Sequence, residues 1–391
     1  MKTDLVKGFN DYVGEEAEKR AFILEVIKQT FQRYGFGPAE TPILEYEEFV
    51  KGNNTNDGAV RDIYKLKDRG KRNLALRYEF TFQLKRLMEN KKLPFKRYQI
   101  GYNFRDEPIR EGRTRQFIQC DADVVGSTIK DEAEGFSVLK EVMNALGIEN
   151  KLYINNRKLI NEILESKGIE KDSEDIIREI DKLDKLSKEE VRKNLKKYSA
   201  EDVLEEFTKK EDYYKKYKAY GDIEELKGYC KLFGVEVEFR PFLARGFSYY
   251  NGTVFELWSK KLGVSICGGG SYMFNNVQCT GVSLGLGPLV LLSNIKLQLN
   301  KILIVSLSED KQAIKIATKL RKLGNIVSIF YGKPSKALEY ANSYKFSQTI
   351  FVGAKEVKQK KFKVKDMKTG KEKTLVMNKA TKKNLIVQNR Q

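Results

Sequence analysis

The segment FRDEPIREGRTRQF, residues 104–117, sets Arg105, Arg110, Arg113 and Arg115 among Asp106, Glu107 and Glu111, between two runs that alternate like strands. Outward from it, residues 98–105 and 117–125 form those strands, so the charged stretch is the loop of a long antiparallel hairpin. Arginine suits a phosphate because its planar fork donates two parallel, charge-assisted hydrogen bonds. Arg105, at the strand end before the loop, is placed to hold an α-phosphate and to stabilise charge developing there. Phe117, on the returning strand, offers a face on which a purine stacks. The same spacing also fits a hairpin whose alternating charges only solvate its loop.

A second informative tract runs from Arg240 to Pro288. It reads RPFLARGFSYYNGTVFELW, a charged turn, SICGGGSYMF and then TGVSLGLGPLVLL. Here a cation, Arg245, stands deep in apolar sequence beside paired tyrosines and three consecutive glycines, Gly268, Gly269 and Gly270. Such a set suits a pocket for a small planar polar ligand, because glycine lets backbone approach it with no Cβ between. Equally, the glycines fit a strand-end turn or bulge, and paired tyrosines commonly pack cores or interfaces.

Elsewhere the periodicities are regular. Residues 15–34 carry apolar positions at helical spacing and end at Gly35. FGPAETPILEYEEFV is extended, and Pro42 within it favours an edge or interface strand. KGNNTNDGAV, residues 51–60, reads as a surface loop, residues 63–76 as a hairpin, and residues 81–90 and 131–146 as helices. Residues 151–227 open with a strand leading into a helix and are then dense in Lys and Glu at helical spacing. This is the texture of a solvated insertion, with a basic face toward nucleic acid as a secondary role. After a short linker near residues 293–300, strands and helices alternate as in a compact α/β domain with a largely parallel sheet. The chain closes on a basic hairpin turning at Thr369-Gly370.

Composition narrows the chemistry. The 391 residues predict two or three domains. Lys and Arg number 73 against 54 acidic residues, a formal charge of +19 that suits a polyanionic partner through counterion release; a lysine-rich proteome would give the same excess. There is no histidine, which excludes Ser-His-Asp and Cys-His catalysis and HExxH metal sites. Positioning chemistry such as phosphoryl or nucleotidyl transfer stays open. The four cysteines have no CxxC spacing and are expected reduced and buried, with no protein-built metal site. No run approaches a membrane span, so a soluble, cytoplasmic protein without a membrane partner is expected.

These segments together resemble the class II aminoacyl-tRNA synthetases, and within them the histidyl-tRNA synthetases. FRDEPIREGRTRQF resembles motif 2 of the class, and YGFGPAETPILE its motif 1, with Pro42 at the motif proline. LARGFSYYNGTVFE and CGGGSY resemble the two histidine-specific segments, and LALRYEFT the substrate loop. IDKLDKLSKEEV and RQFIQCDADVVG resemble the archaeal and eukaryotic branch. The C-terminal unit resembles the anticodon-binding domain. The resemblance implies an α+β fold: an antiparallel-sheet catalytic core over residues 1–150 and 228–294, a mostly helical insertion over 151–227, and an α/β anticodon-binding domain over 299–391.

It also implies roles. Arg105 would contact the α-phosphate of ATP and Arg113 the outer phosphates, Phe117 would stack on adenine, and Glu107 would also belong to the ATP site. Glu79, Thr81 and Gln119 would hold the amino group of L-histidine. Asp123, Tyr250 and Tyr272 would face the imidazole nitrogens, with Tyr249 packing nearby, and Arg245 would be the catalytic cation. The implied activity is histidine–tRNA ligation with ATP and Mg2+ on tRNA(His), by a homodimer joined through the motif 1 region.

Two positions depart from the family. GLGPL stands where motif 3 reads GLERL, so Gly287 and Pro288 replace a Glu-Arg pair whose arginine contacts ATP. Ser271 stands where the family commonly has Arg. Lys260, Lys261 or another cation could compensate. The alternative these departures suggest is a catalytically weakened paralogue that senses histidine or tRNA.

Overall fold

The computed structural model describes residues 3–52, 58–246, 248–261, 263, 265–297 and 299–376. Five residues of the loop expected at 51–60, residues 53–57, lie outside the described ones; Glu47–Lys51 and Gly58–Arg61 on either side are short helices. The chain forms two compact units, residues 1–295 and 296–391.

The first unit is built on an eight-stranded sheet. Its order is Gly37–Pro38, Phe95–Phe104, Gln116–Val125, Val277–Gly285, Ser265–Phe274, Tyr250–Ser259, Asn150–Asn156 and Glu238–Phe239. The six inner strands pair antiparallel, and each two-residue edge strand pairs parallel to its neighbour. Asn150–Asn156 lies inside this sheet, so the core sheet continues beyond residue 150 and the helical tract begins only at Arg157.

Strand alternation sorts the two faces. Cys120, Ala122, Val124, Phe255, Leu257, Val282 and Leu284 point into one large core with helices Gly14–Arg33 and Ile129–Leu146. Phe136 of the second helix meets Phe255 edge-on at 4.7 Å. That helix starts on a capping box made by Thr128 and Asp131 and ends on Gly147 in the left-handed conformation, which the residue types there favour. The opposite face carries Gln119, Asp121, Asp123, Tyr272 and the glycines, and it is where the pocket opens.

The helix expected over 81–90 is reduced to one turn, Leu84–Leu87. Gln83 is fully buried at its start, bonded to Thr41, the Pro42 carbonyl and, at 2.6 Å, Glu45. These tertiary bonds hold the preceding residues out of a helix and tie them to the extended segment around Pro42. From Arg157 to Leu232 the chain is a series of short α and 3-10 helices around Ile176, Ile177, Val191, Leu204 and Phe207, which join the main core. All four cysteines are buried and free.

The second unit is a five-stranded sheet. Ile326–Tyr331, Lys301–Ser306 and Gln348–Val352 are parallel, and Lys361–Asp366 and Glu372–Val376 extend it as an antiparallel hairpin. Helices Asp310–Lys322, Pro334–Ser343 and Ala354–Gln359 connect the strands, and apolar clusters fill both faces.

Gly269 tests the tightness of the first sheet. A Cβ there would sit 2.0 Å from the Gly281 carbonyl oxygen and 2.9 Å from the Phe255 ring. Gly269→Ala is expected to destabilise the unit by at least ~1–3 kcal/mol, the usual cost of overpacking, in urea denaturation. Gly228→Ala, in a helix with nothing within 4 Å of the new methyl, is expected to gain ~0.5–1 kcal/mol.

Candidate active site

The pocket is built on the three central strands and the hairpin loop above them. Residues 119, 121 and 123 project from one strand at period two; Gly281 and Ser283 come from its neighbour, and Gly268, Gly270 and Tyr272 from the next. Asp123 stands directly opposite Arg97 on one side and Gly281 on the other. A Cβ on Gly281 would lie 2.2 Å from the Asp123 carboxylate. The strand register therefore needs glycine where the carboxylate crosses it.

Asp123 is buried with two partners, the Arg97 guanidinium at 2.9 Å and the Tyr272 hydroxyl, which donates at 2.5 Å. Burial pushes its pKa up, while Arg97 and Tyr272 oppose that shift. Asp121 is raised likewise by burial and by Asp123 beside it, and it accepts both bonds from Gln119 Nε2, at 2.9 and 3.0 Å. The other side of Gln119 accepts from Asn103 at 3.0 Å, which fixes the amide orientation. Burial carries Glu79 up to about 8 against the attraction of Arg105, and Tyr249 donates to it at 3.3 Å. Tyr249 in turn packs on Tyr250 and Tyr272 at 4.8 and 5.7 Å between ring centroids.

Arg245 enters from the other side. Its φ is +68°, in the left-handed region that costs a non-glycine residue on the order of 1–3 kcal/mol. The guanidinium is largely but not wholly buried and donates to Glu256 at 2.6 Å; burial opposes the charge, but Glu256 holds its pKa above the ordinary value. It lies over Gly268, where a Cβ would come within 2.3 Å of it. The three glycines thus lie inside one continuous strand, with a bulge against its neighbour between Gly270 and Tyr272.

In the loop, Arg105 donates through Nε to the Tyr78 carbonyl at 3.1 Å and stacks its guanidinium over Phe117 at 5.2 Å. Glu107, Arg113 and Phe117 line the pocket with it. Every site residue named from the sequence, Glu79, Thr81, Arg105, Glu107, Arg113, Phe117, Gln119, Asp123, Arg245, Tyr249, Tyr250 and Tyr272, lines this one pocket.

The sequence reading missed Arg97, Asp121, Glu256 and Asp181. A cation at the position matching Asp123 on the adjacent strand was the available signal for Arg97, and the period-two spacing from Asp123 was that for Asp121. Lys260 and Lys261 are corrections: both are exposed and outside the pocket lining, and Lys260 is 3.9 Å from Glu149. They sit in the turn between strands Tyr250–Ser259 and Ser265–Phe274, whereas Gly287 and Pro288 lie in the first turn of the helix Leu286–Leu292. Those two residues face the Gly112 backbone instead, and a Cβ on Gly287 would fall 2.5 Å from the Gly112 carbonyl oxygen. Ser271 bonds buried Glu132 on the helix side of the sheet, so it too supplies no charge to the pocket.

Residues 8–289 match the family model described as histidyl-tRNA synthetase. The chain belongs to the histidyl-tRNA synthetase family. Residues 301–385 match an anticodon-binding domain. The chain is similar to histidine–tRNA ligase 1 of Bacillus cereus, at 34% identity over 95% of each protein, and to histidine–tRNA ligase of Wolinella succinogenes, at 32% over 95% of each. In fold it is similar to the crystal structure of histidyl-tRNA synthetase from a Nostoc species, with a TM-score of 0.81 and 23% identity over 96% of this chain and 97% of that one. The class II core and C-terminal anticodon-binding domain are therefore those of this family.

The raised carboxyl at Glu79 sets a pH dependence. Unfolded, it ionises near 4.5; folded, it keeps its proton to about 8. The native state then binds more protons between those values, so stability falls as pH rises through about 4.5 to 8 and levels off above. Glu79→Gln is expected to flatten that part of a melting-temperature-against-pH profile; an unchanged slope would remove Glu79 as its source.

Proposed function

We propose that the pocket activates L-histidine with ATP and transfers it to tRNA(His), and that its imidazole specificity rests on Asp123. The observation that carries this is the pairing of Asp123 with both Arg97 and the Tyr272 hydroxyl at the floor of the pocket. A carboxylate and a phenol held at fixed positions satisfy the two nitrogens of an imidazole and leave an apolar isostere with unpaired partners. Glu79, Thr81 and Gln119 supply acceptors for an α-ammonium, and bound ammonium would favour ionised Glu79.

In the first step the histidine carboxylate oxygen attacks the α-phosphorus in line. The bond from that phosphorus to the bridging oxygen breaks, and pyrophosphate leaves. Arg105 and Arg245, on opposite sides of the pocket, oppose the charge on the α-phosphate, while Arg113 serves the outer phosphates. Glu107 is the carboxylate that would hold a Mg2+ ion bound with ATP, since Mg2+ commonly uses one or two carboxylates together with substrate phosphates, and the ion would supply charge neutralisation there. Among the described residues no group of three or more His, Cys, Asp or Glu is placed to hold a metal. In the second step a ribose hydroxyl of the terminal adenosine attacks the carbonyl of the adenylate, the bond from that carbonyl to the phosphate oxygen breaks and AMP leaves; with no histidine in the chain, a phosphate oxygen of the departing AMP takes the hydroxyl proton.

The anticodon-binding domain and the charge of +19 supply the cationic surface a tRNA needs. A homodimer is supported by exposed Ile43, Leu44 and Tyr46 in the segment after Pro42, a patch suited to burial against a second copy. Among the described residues no helix is long and apolar enough to cross a membrane; cytoplasmic location follows from the proposed reaction.

Gly287 and Pro288 favour a second reading, a sensor that binds histidine or tRNA without activating it. Histidine-dependent ATP–pyrophosphate exchange separates the two. Activity in the wild type, with Arg105→Ala slower by about 10²–10³-fold, is expected. No exchange at saturating ATP, with tRNA still bound, would favour the sensor.

A further inference from the structure

Arg245 is held from two directions, and one of them is the helical insertion. Asp181 begins the 3-10 turn Asp181–Asp184, in the tract that follows the core strand Asn150–Asn156. Its Oδ1 accepts the backbone N–H of Ala244 at 2.9 Å and of Arg245 at 3.1 Å. The residue so gripped is the one whose φ is +68°, although arginine has no intrinsic preference for that conformation. From the other direction Glu256 accepts from the Arg245 guanidinium at 2.6 Å, and its second oxygen accepts from Trp258 Nε1 at 2.8 Å. The guanidinium then lies over Gly268, facing the pocket.

We infer that Asp181 is a positioning residue for Arg245: it fixes the left-handed backbone from which the guanidinium reaches both Glu256 and the reacting centre. This rests on the proposed histidine activation. The helical insertion is then part of the machinery of the first step, which takes place before tRNA is involved. The groups facing the clamp are Asp181 and Asp184 from the insertion and Glu256, Tyr250 and Arg245 from the core. Because both N–H groups use a single oxygen, the clamp depends on an acceptor at that point, and an amide oxygen can replace it. A displaced Arg245 leaves the histidine-binding residues in place and withdraws only the cation at the α-phosphate. The loss therefore falls on turnover, since misplacement by about 1 Å costs on the order of 10²-fold.

The chain contains one tryptophan, and it is Trp258. Its indole shares Glu256 with Arg245, so its emission reports the clamp independently of catalysis. The test compares Asp181→Ala with Asp181→Asn in histidine-dependent ATP–pyrophosphate exchange and in tryptophan fluorescence. Asp181→Ala is expected to lower kcat by about 10–10²-fold with KM for histidine within about twofold, and to shift Trp258 emission. Asp181→Asn, which keeps the acceptor, is expected to restore both. In an Arg245→Ala background, Asp181→Ala is expected to slow exchange no further. Wild-type kcat and emission in Asp181→Ala, equal losses in both variants, or the same slowing in the Arg245→Ala background would each overturn the inference. If Asp181→Ala does not fold, Asp181→Ser, which is polar but too short to reach both N–H groups, takes its place with the same expectations. If the wild type shows no exchange, the proposed activation fails, and the fluorescence comparison still decides whether Asp181 sets Arg245.

Discussion

The ion pair between Arg97 and Asp123 is the constraint on which the rest of the first unit depends. Both side chains are almost wholly buried, and their charged atoms are 2.9 Å apart. Removing one member of such a pair leaves a buried charge without compensation, at a cost of about 3–5 kcal/mol. The two residues lie directly opposite on adjacent strands, so the pair forms in one register only. A slip of one residue would turn Gln119, Asp121 and Asp123 into the apolar core and bring Cys120 and Ala122 to the pocket. The pair thus orders the sheet and places the recognition carboxylate together.

Around that carboxylate the structure is defined by side chains that are missing. Gly281 gives Asp123 room to cross the sheet, Gly268 gives Arg245 room to lie over it, and Gly269 brings two backbones into contact. The same economy of volume appears at the loop, where Gly287 accepts the Gly112 carbonyl. This contact gives the altered sequence at 287–288 a structural meaning. The hairpin loop occupies the space that a glutamate at 287 would need, so the two segments fit one another as they stand.

Much of this was legible from residue patterns. The strands flanking residues 104–117, the helices at 15–34 and 131–146 and the alternating C-terminal unit follow from periodicity, because each buries one apolar face. The family resemblance drew residues from distant segments into one site, and the pocket brings those residues together. What periodicity could not show is polar and non-local. Arg97 sits in FKRYQIGYNF, where a cation at alternate spacing reads as solvent-facing, and only its partner on the next strand explains its burial. Asp181 belongs to a tract whose Lys and Glu density reads as a solvated surface; its return to Arg245 is a tertiary event with no local mark. The helix expected at 81–90 shrank for a related reason, since Gln83 bonds to residues near Pro42 instead of continuing a helical surface.

The central claim is that a neutralised carboxylate, Asp123, reads an imidazole while Glu79 reads the ammonium of the same molecule. The most direct test is a crystal structure of the protein with L-histidine bound. The account predicts the imidazole between Asp123 and Tyr272, over the glycines of residues 268–270, with the ammonium at Glu79. Histidine bound with its ring away from Asp123, or bound outside this pocket, would contradict it.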